Sequence, residues 1–350
     1  MYNVKALTPD HALETSLQLL AKNHVYSESR NGPVLRFPGL VVTEWEDPTK
    51  RISWSTARDA NPFLHYIEAF WMLAGRNDVS LVGKIASNMF NYSDDGKTLF
   101  GAYGYRWRNH FGVDQISKII AELLHNRTSR RCVLQMWDGY TELDRAINNG
   151  KDVCCNHSIT FDPCGDLLNM TVSNRSNDLV WGAYGANVVH MSILHEYIAA
   201  QSNFKLGTYY QCSSNLHLYL DNPVTKRLCS YENGVLKVKP IITTFFGPQE
   251  AMFCGISPLP ELDHLFVDRI NSILNAFLEG DVSNTSNIAN HRSLEILHTL
   301  CAAFNVYKSV SAREAVGFLL NKKNCSTSKW SPWEENAIAW LYNRPSINKS

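Results

Sequence analysis

The chain has 350 residues, 45% of them hydrophobic, and its 33 Lys+Arg balance 33 Asp+Glu for a formal net charge of +0. That length supports one large core, or one core plus an appendage. The balanced charge argues against a general nucleic-acid footprint, so no DNA partner is expected, although a local anion site is compatible with it.

Residues 9–22 carry apolar positions at helical spacing, with Pro9-Asp10 as a start signal. A turn over 27–33 holds Arg30, more simply a solvated loop cation than an anion ligand, and a strand-like run covers 34–45. Asn61-Pro62 opens a helix that Gly75 ends. Within it Glu68 is a single carboxylate among aromatic and aliphatic neighbours, and such a group needs a partner or a proton-handling task. A turn follows at 93–96. Residues 101–108 then crowd aromatics around Tyr103, as a core cluster or as a ligand-facing tyrosine. An amphipathic helix is predicted over 116–124, and Arg130-Arg131 precede a strand at 132–137. Period-two alternation predicts strands at 157–162 and 168–173. A helix follows at 187–200, its apolar face formed by Val188, Val189, Met191, Leu194, Ile198 and Ala199. After a strand at 234–245, helical patterns cover 262–279, 292–304, 311–320 and 333–343. The break at 255–261 predicts a catalytic domain over 1–255 and a mostly helical extension over 256–350. No apolar run reaches the roughly 18–20 residues of a membrane span, and the polar residues 1–10 predict no leader. The scattered cysteines lack paired CxxC spacing, so they read as free thiols in a reducing cytosol, without a structural metal.

Reactive groups concentrate between 151 and 219. Cys154 and Cys155 are adjacent, so in an extended backbone they point to opposite faces and one at most addresses a given pocket. The default for a single cysteine is a small buried hydrophobe. A nucleophilic one needs its thiolate stabilised, which the Arg175 guanidinium in a neighbouring strand would do. Two enzymatic chemistries fit. Cys155, His217 and Asp178 could form a hydrolase-like triad. Alternatively, Cys155 adds to an electron-poor pyrimidine while arginines hold a phosphate and Asn187 reads the base edge. No cysteine-protease signature surrounds Cys155, and a triad leaves the arginines without purpose, which favours the second.

Over residues 10–220 these motifs, in this order, resemble the thymidylate synthase superfamily, which includes the pyrimidine nucleotide hydroxymethylases of phages. Arg175-Ser176-Asn177-Asp178 is similar to its RSxD motif, and His217-Leu218-Tyr219 to its HxY pair. The resemblance implies an α+β fold, a large mixed β-sheet flanked by helices. It implies Cys155 as the nucleophile, with Arg175, Ser176, Arg30 and the pair Arg130 and Arg131 on the nucleotide phosphate. That arginine pair would come from a neighbouring subunit, hence a homodimer. His217 and Tyr219 would bind the sugar hydroxyl and Asn187 the pyrimidine. Asp178, Gly182 and Glu68 would face 5,10-methylenetetrahydrofolate, the co-substrate, while Glu68 and Tyr103 handle protons. Phage enzymes of this kind would act in the host cytoplasm.

The sequence also departs from that pattern. Asn156 follows the cysteine where the family commonly has His, and Cys154 precedes it in place of Pro. Asn187 stands one residue further from Arg175 than in synthases. Met89-Phe90 is the nearest match to an expected tryptophan. The last residues, 343–350, replace the short apolar tail that seals synthases. A less sealed pocket favours water over hydride as the trap. C5 hydroxymethylation of a deoxypyrimidine monophosphate is therefore expected ahead of the thymidylate synthase reaction. A carboxamide pairs with uracil, or in its flipped rotamer with cytosine, and dUMP is placed ahead of dCMP. A catalytically silent nucleotide- or RNA-binding relative is the alternative of another class.

Overall fold

The computed structural model describes residues 1–243, 265–281, 291–325 and 331–344. In chain order the elements are β1 (Tyr2–Ala6), α1 (Pro9–Lys22), β2 (Val25–Ser29), β3 (Gly32–Arg36), β4 (Val41–Trp45), α2 (Pro62–Leu73), α3 (Val79–Ile85), α4 (Tyr103–Arg108), α5 (Gln115–His125), β5 (Val133–Gln135) and α6 (Glu142–Ile147). They continue with β6 (Asn156–Cys164), β7 (Leu167–Asn174), β8 (Asn177–Asp178), α7 (Asn187–Gln201), β9 (Lys205–Ser213), β10 (Leu216–Tyr219), α8 (Pro223–Leu228), β11 (Cys229–Glu232) and β12 (Val235–Val238). The helices α9 (Phe266–Glu279), α10 (Arg292–Ser309), α11 (Ala312–Cys325) and α12 (Pro332–Tyr342) complete the described chain. The fold class is α+β. The break expected at 255–261 and the residues after 344 lie outside the described residues.

Two compact units are formed, each from several stretches of chain. The first comprises Met1–Ala60, Gln115–Gly139 and Cys154–Pro248. Its centre is a six-stranded mixed sheet in the order β1-β4-β9-β7-β6-β5. Alternation builds it: Leu168, Met170, Val172 and Asn174 of β7 are buried while the residues between them are not. A four-stranded sheet, β2-β3-β10-β8, lies in the same unit. The run 34–45, expected as one strand, divides between the two sheets. Pro38, which has no N–H to give a ladder, falls in the break between β3 and β4. The turn expected over 27–33 narrows to Arg30-Asn31, because 25–29 and 32–36 pair as a hairpin. Among the described residues of the strand expected over 234–245, the ladder is formed by β12, ahead of Pro240, and residues 244–245 lie outside the described residues. Helix α1 begins as expected: the Thr8 hydroxyl accepts a hydrogen bond from the His11 N–H at 3.2 Å, with Pro9 in the first turn.

The second unit comprises Asn61–Asp114, Tyr140–Val153 and Gln249–Ser350. Helix α2 is its axis. The Asn61 side chain caps the Phe63 and Leu64 N–H groups, and Gly75 takes a left-handed φ of 72° just after the helix. Helices α3, α4, α9, α10 and α12 pack on α2. The packing is aromatic, with Phe63 against Phe304 at 5.3 Å and Tyr66 against Trp333 at 5.0 Å between ring centroids. The C-terminal helices thus share a core with residues 61–114. Gly104 lets α4 cross α2 closely, since a Cβ there would lie 2.1 Å from the Met72 carbonyl oxygen.

Candidate active site

Within the first unit, Arg175 and Ser176 are the two residues between β7 and β8, so they join the six-stranded sheet to the four-stranded one. That junction gathers most of the residues singled out from the sequence. Cys155 immediately precedes β6, beside the end of β7. The Arg175 N–H donates to the Cys155 carbonyl at 3.0 Å, and its Nε donates to the Cys154 carbonyl at 2.9 Å. This bracket leaves Arg175 Nη2 at 3.7 Å from Cys155 Sγ. The guanidinium also lies over the Trp137 ring, 5.7 Å from its centroid. Cys154 faces the other way: it is 1% exposed and its thiol meets the Asn156 carbonyl. A cation beside a half-exposed sulfur favours the thiolate, the form in which cysteine is a nucleophile.

The four-stranded sheet supplies the rest. His217 of β10 is register partner to Asp178 of β8 on one side and to Arg36 of β3 on the other. Its ring meets Tyr219 edge-on at 4.9 Å, and its Nδ1 lies 3.3 Å from the Asn215 carbonyl oxygen. Burial pushes the Asp178 carboxyl up from the ordinary carboxylate range, opposed by the Trp181 N–H, by His217, and by the Val180 and Gly182 N–H groups. Burial pushes His217 down, opposed by Asp178. Arg30 sits at the exposed tip of the β2–β3 hairpin. Arg130 and Arg131 are exposed just before β5, and Ser176 is half-buried.

Asp178 Oδ2 accepts hydrogen bonds from the N–H groups of Trp181 and Gly182, at 2.5 and 3.4 Å. It thereby starts a wide helical segment, Leu179–Ala186, whose backbone departs from helical values at Tyr184 and Gly185. At its end the Asn187 N–H reaches the Gly182 carbonyl, five residues back. Such a turn takes in one residue more than an α-turn. Asn187 then opens α7. The carboxamide of Asn187 donates from Nδ2 to Asn177 Oδ1 at 3.1 Å.

Several residues that hold this segment carry no signal in the sequence. Arg58, fully buried, donates from Nη2 and Nε to the Val180 carbonyl at 2.6 and 3.2 Å. Burial pushes Arg58 down to about 10, while the negative charges of Asp10 and Asp178 hold it up. The Tyr184 hydroxyl meets Ser16 Oγ at 2.8 Å and Thr43 Oγ1 at 3.0 Å. Asn156, which replaces the expected histidine, is completely buried, and His157 next to it forms the bulge where β6 pairs with β7.

Glu68 and Tyr103 belong to the second unit. Glu68 is buried on α2, and Tyr103 is the half-buried first residue of α4. Arg106 of α4 forms a fully buried ion pair with Glu142 at 2.6 Å, and the Gly101 N–H donates to Asp152 at 2.7 Å. Among the described residues no cluster of side chains is arranged to hold a metal ion, and no helix is long and apolar enough to cross a membrane.

Comparison with known proteins bears on the whole arrangement. The thymidylate synthase family model matches residues 43–236. A deoxyuridylate hydroxymethyltransferase of Pseudomonas phage M6 is 50% identical over 71% of this chain and 74% of its own length. Proteins with the same name from Bacillus phage SP01 and Delftia phage PhiW-14 are 33% and 29% identical. The matches cover 52% and 55% of this chain, and 50% and 56% of those proteins. The matched span contains Cys155, Arg175 and the elements that bracket them, and on these grounds the chain belongs to the thymidylate synthase family.

Proposed function

We propose that this chain is a one-carbon transferase that hydroxymethylates C5 of dUMP, with Cys155 as nucleophile. The observation that carries the reading is Arg175 Nη2 at 3.7 Å from Cys155 Sγ, in a chain that over 71% of its length is 50% identical to a deoxyuridylate hydroxymethyltransferase. Cys155 Sγ bonds to C6 of the ring, and the electron pair moves to C5, which attacks the one-carbon unit. Loss of the C5 proton breaks the bond between the one-carbon unit and the folate nitrogen, so tetrahydrofolate departs and an exocyclic methylene remains. Water adds to that carbon, its second proton going to solvent, and departure of Cys155 restores the ring. No net oxidation or reduction occurs, in contrast to the synthase reaction, where the methylene is reduced by hydride.

Arg175, Ser176 and Arg30 are assigned to the 5′-phosphate, where guanidinium groups give charge-assisted, partly bidentate bonds. His217 and Tyr219 are assigned to the sugar hydroxyl and Asn187 to the base edge. On the family resemblance alone, Tyr103 and Glu68 are assigned to moving the C5 proton. 5,10-Methylenetetrahydrofolate supplies the one-carbon unit when bound. The residues fit such a group: the Asp178 carboxylate is held by backbone N–H groups, and Trp181 beside it is 47% exposed. An acceptor next to an exposed aromatic ring suits a flat, N–H-bearing heterocycle.

Product analysis tests the reading. With dUMP and methylenetetrahydrofolate, 5-hydroxymethyl-dUMP and tetrahydrofolate are expected in equal amounts. Formation of dTMP with dihydrofolate would assign the synthase reaction instead. Absence of any turnover would leave a nucleotide-binding relative.

A further inference from the structure

We propose that Asn177 sets the base preference by fixing the orientation of the Asn187 carboxamide, an inference that rests on the reading that Asn187 meets the pyrimidine edge. Asn177 is the variable position within Arg175-Ser176-Asn177-Asp178, and no role was assigned to it above. It is 3% exposed, and Asn187 is 8% exposed. Its backbone is held in β8, where its N–H donates to the Asn215 carbonyl at 2.8 Å. Its Oδ1 accepts from Asn187 Nδ2 at 3.1 Å, and its own Nδ2 makes a long contact of 3.5 Å with Ser213 Oγ. Ser213, at the end of β9, is also buried.

A planar carboxamide presents an acceptor and a donor side by side. With Nδ2 of Asn187 tied to Asn177, rotating that amide by half a turn would set two carbonyl oxygens against each other in a buried place. Leaving both without a donor is costly. Uracil and cytosine present opposite patterns on the edge that distinguishes them: uracil donates from N3 and accepts at O4, whereas cytosine accepts at N3 and donates from N4. A freely turning carboxamide would serve both bases, but a locked one serves only one. With dUMP as substrate, the lock is what disfavours dCMP.

A second feature points to the same contact. A Cβ at Gly182 would lie 2.5 Å from Asn177 Oδ1 and 3.6 Å from Asn187 Nδ2. The space that the two amides occupy therefore exists because residue 182 has no side chain. Gly182 also accepts, through its carbonyl, the Asn187 N–H that closes the wide turn.

The test compares kcat/KM for dUMP and dCMP in the wild type, Asn177→Ala, Asn177→Asp and Gly182→Ala. Asn177→Ala and Gly182→Ala should each lower the dUMP-to-dCMP ratio by roughly tenfold, because the amide is then free to turn. Asn177→Asp keeps an acceptor at that place and should keep the wild-type preference. A general packing defect would lower both activities and leave their ratio unchanged. Calorimetric binding of each nucleotide to the same proteins gives the ratio without turnover. If the wild type turns over neither nucleotide, the functional reading fails, while the binding ratio still decides the role of Asn177. An unchanged ratio in both Asn177→Ala and Gly182→Ala would overturn the proposal, and an Asn177→Asp variant that loses the preference would contradict the acceptor role.

Discussion

At the scale of single residues, the chemistry turns on which polar groups the fold buries and what it gives them as partners. Cys155 and Cys154 have the same side chain, yet one is half-exposed beside a guanidinium and the other is sealed against a backbone carbonyl. Their adjacency in an extended backbone is enough to separate them. His195 shows the same principle away from the site. It is fully buried on α7, with Nε2 2.6 Å from the Leu168 carbonyl of β7. Burial pushes it down to about 4, against the pull of that carbonyl and assisted by Arg51. Its folded pKa is therefore below the unfolded value of 6.5, so the neutral form contributes stability above that pH. The contribution is lost as pH falls toward 4, because the unfolded chain gains a proton that the folded chain refuses. Its size is roughly 3 kcal/mol. Urea midpoints at about pH 7 and about pH 4.5 check this: wild type should lose more stability on acidification than His195→Leu. Equal losses would contradict the assignment.

At the scale of elements, the sequence made some features legible and hid others for physical reasons. Helices α1 and α2 were readable because a proline in the first turn and helical spacing of apolar residues agree, as at Pro9 and Asn61-Pro62, whereas α7, with no proline in its first turn and no side-chain cap, was readable from the spacing of its apolar residues alone. Strands β6 and β7 were readable from alternation, since one face of each is buried. The division of 34–45 between two sheets was not, because both halves share one apolar pattern and only Pro38 marks the break. The reactive groups were readable as residue types at given spacings. Their support was not: Arg58 lies in an ordinary polar stretch, and its buried bond to the Val180 carbonyl is a tertiary contact between residues far apart in sequence. The wide turn over Leu179–Ala186, pinned by Arg58, Tyr184 and Asp178, was hidden for the same reason, since tertiary contacts hold it.

At the scale of the whole molecule, Arg130 and Arg131 raise the question of a second copy. Both are exposed at the start of β5, and no bond from either side chain is formed among the described residues. We propose that they complete the phosphate site of a neighbouring subunit. Mixing an inactive Cys155→Ser protein with an inactive Arg130→Ala/Arg131→Ala protein should restore turnover, since one mixed site has both the thiol and the arginines. No recovery in a preparation shown by light scattering to contain mixed dimers would contradict this, as would a monomer in solution. The claim underlying all of these is a temporary bond between Cys155 and C6 of the ring. 5-Fluoro-dUMP tests it most directly, because fluorine cannot leave C5 as a proton does and the adduct accumulates. Incubation with methylenetetrahydrofolate followed by peptide mass spectrometry should place nucleotide and one-carbon unit together on Cys155. An adduct on Cys154 or any other residue, or an enzyme that turns over dUMP yet traps nothing, would contradict the account.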